Sequence, residues 1–145
     1  SAVDTLVINH DGLWWLLTNV DESGTGEFGS ALYAFYAQSP LSDSWTPHSG
    51  NPVLIDARGG RNGGLLRRGD QHVRVGQVQG FADYGHSTVL REIVALTPSE
   101  FAEVEVAQVR PRFAEGVTGI HHLHSDSEWT VFDFKRPITR WFFRD

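Results

Sequence analysis

The sequence predicts an all-β domain assembled from repeated four-stranded units. Three observations point there. Apolar runs are short, rich in β-branched and aromatic residues, and cut by turn residues throughout; an Asp-Gly pair separates the first two runs; and the same order of runs and turns returns along the chain. No stretch carries the spacing of an amphipathic helix.

The first run, Leu6-Val7-Ile8-Asn9-His10, leads through Asp11-Gly12 into Leu13-Trp14-Trp15-Leu16-Leu17-Thr18. Asp-Gly between two apolar runs is a strong short-range hairpin signal, so a tight β-hairpin is expected here. Residues 21–30 are rich in Gly, Ser and acidic residues and read as a loop. Ala31-Leu32-Tyr33-Ala34-Phe35-Tyr36-Ala37 then alternates small and large side chains, as a third strand between two packed layers would. Pro52-Val53-Leu54-Ile55 supplies a fourth.

A second set follows: Gly64-Leu65-Leu66-Arg67-Arg68, a Gly69-Asp70 turn, His72-Val73-Arg74-Val75, then residues 87–96 and 101–109. Residues 119–124 and 129–134 begin a third, and residues 138–143 offer a last strand. Repetition at roughly 50 to 60 residues suggests stacked blades of a partial β-propeller, with approximate blades at 1–57, 58–110 and 111–145. A β-sandwich with irregular hairpins is the alternative. The chain holds material for about two and a half to three blades, whereas closed propellers use about four to eight. Exposed apolar faces and strand edges would then need covering, so self-association or association with further propeller sequence is expected, and an isolated closed monomer is not.

With 145 residues the chain is long enough for one domain with a sizeable core. Its net charge of −6 comes from 18 acidic against 12 basic residues, Lys135 being the one lysine, so no basic stripe is present and nucleic acid is not an expected partner. No apolar run approaches the roughly 20 residues that span a bilayer, and the first residues lack a signal-peptide pattern; a soluble chain without membrane insertion is expected. There is no cysteine, which removes disulfides and thiolate metal sites, and composition assigns no compartment. Methionine is also absent, even at position 1, which hints at a processed chain, a cleaved tag or a fragment.

The segment Ser39-Pro40-Leu41-Ser42-Asp43-Ser44-Trp45-Thr46-Pro47-His48, ending in Asn51-Pro52-Val53, resembles the blade-linking phrase of five-bladed propellers of the glycoside hydrolase and fructosidase superfamily. Asp11-Gly12-Leu13-Trp14-Trp15-Leu16-Leu17-Thr18 resembles their hairpin phrase. Nearly the whole chain is also similar to the domain at the N-terminus of plant glucosamine inositolphosphorylceramide transferases, found appended to formyltransferase-like proteins in bacteria. The residues carrying that similarity are Arg61-Asn62-Gly63-Gly64, Arg74 with Gln77, Tyr84-Gly85, Glu92-Ile93, Leu96-Thr97-Pro98 with Phe101 and Glu103, Gly119-Ile120-His121-His122-Leu123, and Val131-Phe132-Asp133. The fuller family domain is longer, and the first blades, where related hydrolases keep their base, have no counterpart here. The resemblance implies a five-bladed propeller and a sugar or glycoconjugate as partner.

Six residues are candidates for substrate binding: Arg61, Arg74, Gln77, Tyr84, His86 and His121. A planar guanidinium at Arg61 or Arg74 can hold a carboxylate, a phosphate or sugar hydroxyls in fixed geometry; structural ion pairs with Asp56, Asp70 or Asp83 are the competing role. Gln77 donates and accepts at once, as vicinal hydroxyls require, and Tyr84 can stack on a sugar ring, against turn packing at Tyr84-Gly85. Strand alternation puts His122 and His124 on one face and His121 on the other, and without a third ligand at defined spacing no metal is assigned. The resemblance implies a histidine near the propeller axis, for which His121 is the positional match, with His86 able to join it.

A glycosidase needs two carboxyls roughly 5 to 10 Å apart. Asp56, Asp83, Glu92 and Asp133 are candidates without a distinguishing signature, so the catalytic residues are unassigned; Glu103, Glu105 and Glu115 read as surface charges, and Trp14, Trp15 and Trp129 as blade core. No nucleophile elbow, phosphate loop or dinucleotide fingerprint is present, and no cofactor is expected. The sequence thus favours a carbohydrate-binding module resembling glycoside hydrolases. The alternatives are a glycoside hydrolase completed by missing blades or a partner chain, and a structural or protein-interaction domain.

Overall fold

The structure is a computed structural model that describes residues 1–80 and 84–137; Asp83 and the expected strand at 138–143 lie outside the described residues. Among the described residues every regular element is a strand: β1 (Ala2–His10), β2 (Leu13–Val20), β3 (Ala31–Ala37), β4 (Thr46–Pro47), β5 (Leu54–Ile55), β6 (Asn62–Arg68), β7 (Gln71–Val78), β8 (Ser87–Leu96), β9 (Phe101–Val109), β10 (Leu123–Ser125) and β11 (Thr130–Phe132). They form two open sheets, one ordered β1-β2-β3-β4 with β5 also on β3, the other ordered β11-β10-β6-β7-β8-β9. No helix among the described residues is long and apolar enough to cross a membrane.

The first hairpin closes as its sequence requires. His10 pairs with Leu13 across two residues, and both turn residues have positive φ, 48° at Asp11 and 77° at Gly12. That is the two-residue turn whose twist matches the strands it joins. The second sheet's first hairpin uses Gly69, at φ 61°, at the first central position of its turn, with Arg68 opposite Gln71.

The expected fourth strand at residues 52–55 shrinks to Leu54–Ile55. The Asn51 side chain takes the place of a strand backbone: its Oδ1 accepts from Ala34 N at 2.8 Å and its Nδ2 donates to Ala34 O at 2.8 Å. Pro52 has no N–H to add to the ladder. The β3 edge is completed instead by Thr46–Pro47 opposite Phe35 and Tyr36, by Val53 N bonding Leu32 O, and by β5.

The two sheets pack through one apolar core. Ile8, Trp15, Leu17, Leu32 and Ala34 from the first sheet meet Leu65, Ile93 and Leu96 from the second, all buried. Trp15 is core as expected, but Trp129 is 71% exposed, a correction: it lies in the short turn between β10 and β11, and neither sheet covers it. Phe132 and Phe134 are about half exposed as well, and Phe113 stands edge-on to Phe132 at 5.6 Å.

Buried polar groups join the sheets beside this core. Asn19, fully buried, donates from Nδ2 to Ala31 O and to Gly60 O, and its Oδ1 accepts from Asn62 N. Asn62 Nδ2 in turn donates to Asp4 O at 2.8 Å and Leu17 O at 2.9 Å. This asparagine pair satisfies backbone groups of both sheets where no ladder runs between them.

Candidate functional site

A bulge opens β1 near its start: the register shifts between Val3 and Leu6, and Asp4 adopts a φ of 52°. One extra residue in a strand re-aims the side chain beside it. Here it brings the Asp4 carboxylate to Arg61, whose Nε donates to Oδ2 at 2.7 Å. Among the described residues the two Nη groups of Arg61, which carry four of its five N–H donors, have no protein acceptor. Its guanidinium carbon sits 5.7 Å from the centroid of the Tyr84 ring, within cation–π range.

Tyr84, 54% exposed, lies with its ring centroid 5.0 Å from that of His121. The His121 Nδ1 is paired with the Asp133 carboxylate. In the neutral ring that pairing leaves Nε2 as an acceptor. Asp133 Oδ1 also accepts from the backbone N–H of His121 at 3.0 Å and of His122 at 2.8 Å, so one carboxylate fixes both the ring and the chain that carries it. The His122 and His124 rings stack with centroids 6.4 Å apart. Burial, reinforced by the neighbouring His124 and His121, outweighs Asp133 and holds the His122 imidazole below its ordinary pKa.

Two glycines let this third segment dock. A Cβ on Gly63 would collide with the His121 carbonyl oxygen, and one on Gly64, at φ 127°, with the Leu123 carbonyl oxygen. Only glycine permits such backbone approach. The result is a polar cleft of about 110 Å³, bounded by Asp4 and Thr5 of β1, Asn62, Gln77, His121 and His122. Gln77 is buried, donates from Nε2 to Asn62 O at 2.6 Å, and holds Oε1 with no hydrogen-bond partner.

The six candidates therefore divide. Gln77 and His121 line this cleft, while Arg61 and Tyr84 stand next to it, Arg61 through its pair with Asp4 and Tyr84 through its contact with His121. Arg74 points into the core: its fully buried guanidinium makes a two-pronged pair with Glu103, Nε to Oε2 at 2.9 Å and Nη2 to Oε1 at 2.5 Å, and Nη1 reaches Asn62 Oδ1 at 3.2 Å. It braces the cleft wall from behind through Asn62. Glu103, expected at the surface, has a side chain only 3% exposed, a correction that follows from this pair. His86 is exposed and lines a different groove with Gln108 and Arg110.

The carboxyl candidates divide as well. Asp56 pairs with Arg91 at 2.5 Å, and Glu92 accepts from Gln71 at 2.8 Å. Asp133 stands beside the cleft, and Asp4, which carries no sequence signature, lines it. Asn62 was visible only as part of the Arg61–Gly64 phrase, and its role as a hub was not. Among the described residues no group of three His, Cys, Asp or Glu is arranged to hold a metal.

Fold and cleft together define an all-β domain of two open sheets with a polar recess beside their first strands. The chain belongs to the family of the N-terminal domain of Glucosamine inositolphosphorylceramide transferase 1, whose family model matches residues 1–126. It is 38% identical over 109 residues to Glucosamine inositolphosphorylceramide transferase 1 of Arabidopsis thaliana and 34% identical over 107 residues to the protein of that name from Oryza sativa subsp. japonica. Each match covers 72% of this chain and 14% of the relative, so the chain spans about one seventh of their length. No solved structure matches the chain. The family read from the Arg61–Gly64, Tyr84-Gly85 and His121 phrases is thus shown.

Proposed function

We propose that this chain is a carbohydrate-binding module, part of a five-bladed β-propeller with blades near 1–57, 58–110 and 111–145, and that its cleft receives one hydroxyl-bearing edge of a sugar or glycoconjugate whose remainder lies outside it. The observation that carries the reading is a run of neighbouring groups: Gln77, whose amide oxygen has no partner among the described residues, and His121 line the cleft, the half-exposed Tyr84 ring lies against His121, and the Arg61 guanidinium lies over Tyr84 beside the lining Asp4. An aromatic face ringed by a few fixed donors and acceptors is how a small polyhydroxyl ligand is held. The propeller is supported by the setting: β1, β6 and β10 are each the first strand of their set, β6 and β10 run parallel, and the cleft opens between β1, β6, β7 and the residues just before β10. The exposed Trp129, Phe132 and Phe134 support association with another copy or with further propeller sequence.

Binding is favoured over hydrolysis because the two carboxylates at the cleft are already engaged, Asp4 by Arg61 and Asp133 by His121. Titration calorimetry against a glycan panel, with chromogenic glycosides in parallel, tests the reading: saturable binding without turnover is expected. Arg61→Lys keeps the charge but loses the fork and should weaken binding about tenfold, while Lys can still pair with the partly exposed Asp4, so the change in stability should be less than about 1 kcal/mol. Turnover would favour a glycoside hydrolase. Silence across the panel would leave an interaction or structural domain.

A further inference from the structure

We infer that the outer edge of β11 is a self-complementary interface, across which the same edge of a second copy of this chain pairs antiparallel about a two-fold axis at Phe132. The inference commits the association proposed above to one partner and one register; it rests on that reading and is independent of what the cleft binds.

The bonding of this segment fixes which backbone groups face outward. Trp129 O accepts from Asp126 N at 3.0 Å, Asp133 N donates to His122 O at 3.2 Å, and Lys135 N donates to Gly119 O at 2.9 Å. Val131 stands opposite His124 in the same ladder. The odd-numbered residues of 129–135 thus turn their N–H and C=O groups towards residues 119–126, and in an antiparallel strand the residues between them turn theirs the other way. Thr130, Phe132 and Phe134 present their backbone groups at the outer edge, and β11 ends its sheet among the described residues. Such an edge is a template for a further strand.

The side chains along it are apolar where an edge built to stay in water would carry charge. Trp129 and Val131 on one face, and Phe132 and Phe134 on the other, are about half exposed or more. Phe113, equally exposed, stands edge-on to Phe132 at 5.6 Å, and Phe132 and Phe134 are 6.3 Å apart, so the aromatic surface is contiguous. A patch of this kind marks a surface that another protein covers.

Charge selects a second copy and sets its register. A two-fold axis at Phe132 places Phe132 against itself, Thr130 against Phe134, and the exposed Glu128 against the exposed Arg136 at both ends. Aromatic pairs and opposite charges facing each other across strands are favourable. With the axis at Asp133 two carboxylates would stand face to face, and with the axis at Val131 Glu128 would stand against Phe134. Arg136 is already held over the Phe134 ring, 5.2 Å from its centroid. Two-fold pairing consumes both edges, so association closes at a dimer.

Sedimentation velocity of the whole chain from about 1 to 500 μM should show a reversible monomer-dimer equilibrium with a Kd of about 10 to 100 μM. Glu128→Arg sets arginine against Arg136, and Arg136→Glu sets glutamate against Glu128. Both positions are exposed, so Tm should move by less than about 2 °C while each variant alone weakens the dimer about tenfold. An equimolar mixture of the two variants should recover the parent's association, because both ends of the mixed dimer again pair opposite charges. Amide exchange at Thr130, Phe132 and Phe134 should slow as the concentration rises. A monomer throughout the range, protection of those three amides already in the dilute monomer, or a mixture that stays as weak as its components would overturn the inference. Glycan titration is read separately: a strictly monomeric chain that binds glycans refutes the dimer and keeps the cleft, whereas a dimer silent to glycans does the reverse.

Discussion

Glu103→Leu should be among the most damaging single changes in the second sheet, and the structure gives its size. The Arg74 and Glu103 side chains are 0% and 3% exposed, so removing the carboxylate leaves a guanidinium in a dry interior with one remaining acceptor, Asn62 Oδ1. Breaking such a pair from one side costs about 3 to 5 kcal/mol, because the surviving charge is uncompensated. Arg91 also loses a neighbour, at 3.5 Å, but retains Asp56 at 2.5 Å, which places the loss near the lower end, about 3 kcal/mol. For a chain of this size that is a fall in Tm of roughly 6 to 12 °C. Arg74→Met should cost about 2 kcal/mol, since Glu103 keeps Arg91. The double variant Arg74→Met/Glu103→Leu fills the space with apolar atoms and should lie within about 1 kcal/mol of the parent. Urea denaturation of all four proteins completes a double-mutant cycle, with an expected coupling of several kcal/mol. A Glu103→Leu midpoint close to the parent, or strictly additive losses, would show that the pair is solvated and that Arg74 is free for another role.

Three further outcomes follow from local geometry. Gly12→Val should lower stability by about 1 to 2 kcal/mol, read as a fall in Tm: a Cβ there meets no atom within 4 Å, so the penalty is the positive φ alone, and an unchanged Tm would mean a different turn. Stability should decline as pH falls below 6.5, the ordinary value for histidine, because burial holds His72 below it and outweighs the Asn9 carbonyl bond. The unfolded chain then binds the proton more readily, so this contribution is complete above 6.5 and is lost as pH falls towards the folded value; His72→Gln should reduce that slope in urea midpoints, the remainder coming from His122, which is lowered as well. Asn62→Ala should unfold at lower urea by about 2 to 3 kcal/mol, since Asp4 O, Leu17 O and Arg74 Nη1 each lose a partner.

The strands legible in the sequence are those whose signal is local. β3, β8 and β9 have the limits that apolar alternation and turn residues give them, and the first hairpin follows from two residues. The β4–β5 region was not legible, because an Asn51 side chain substitutes for backbone there. Glu103 was misplaced for want of one step: it stands two residues after Phe101, which packs against the core, and period-two alternation puts both on the same face. Of the residues at or beside the cleft, Arg61, Gln77 and Tyr84 drew attention in the sequence through their side-chain chemistry and His121 through the family resemblance. Asp4 was not, since nothing in Val3-Asp4-Thr5-Leu6 announces a bulge.

The cleft arises because the two sheets have no common ladder among the described residues, and their first strands must be joined by side chains. Asn62 does this for β1 and β2, and it is held in turn by Arg74 from the core and by Asn19 from the first sheet. Gly63 and Gly64 bring residues 121–123 against the same strand, and Asp133 clamps that segment through two backbone N–H groups. The walls of the recess are therefore held by buried or charge-assisted bonds, while among the described residues the Gln77 amide oxygen inside it and the Arg61 Nη groups beside it have no hydrogen-bond partner. Rigid walls with unsatisfied groups lining them lower the ordering cost of a ligand that satisfies those groups. The buried ion pair between Arg74 and Glu103 belongs to the same logic, since by holding Asn62 Oδ1 it leaves the amide of Asn62 oriented to donate toward β1, and loosening it should blunt ligand binding even in variants that remain folded.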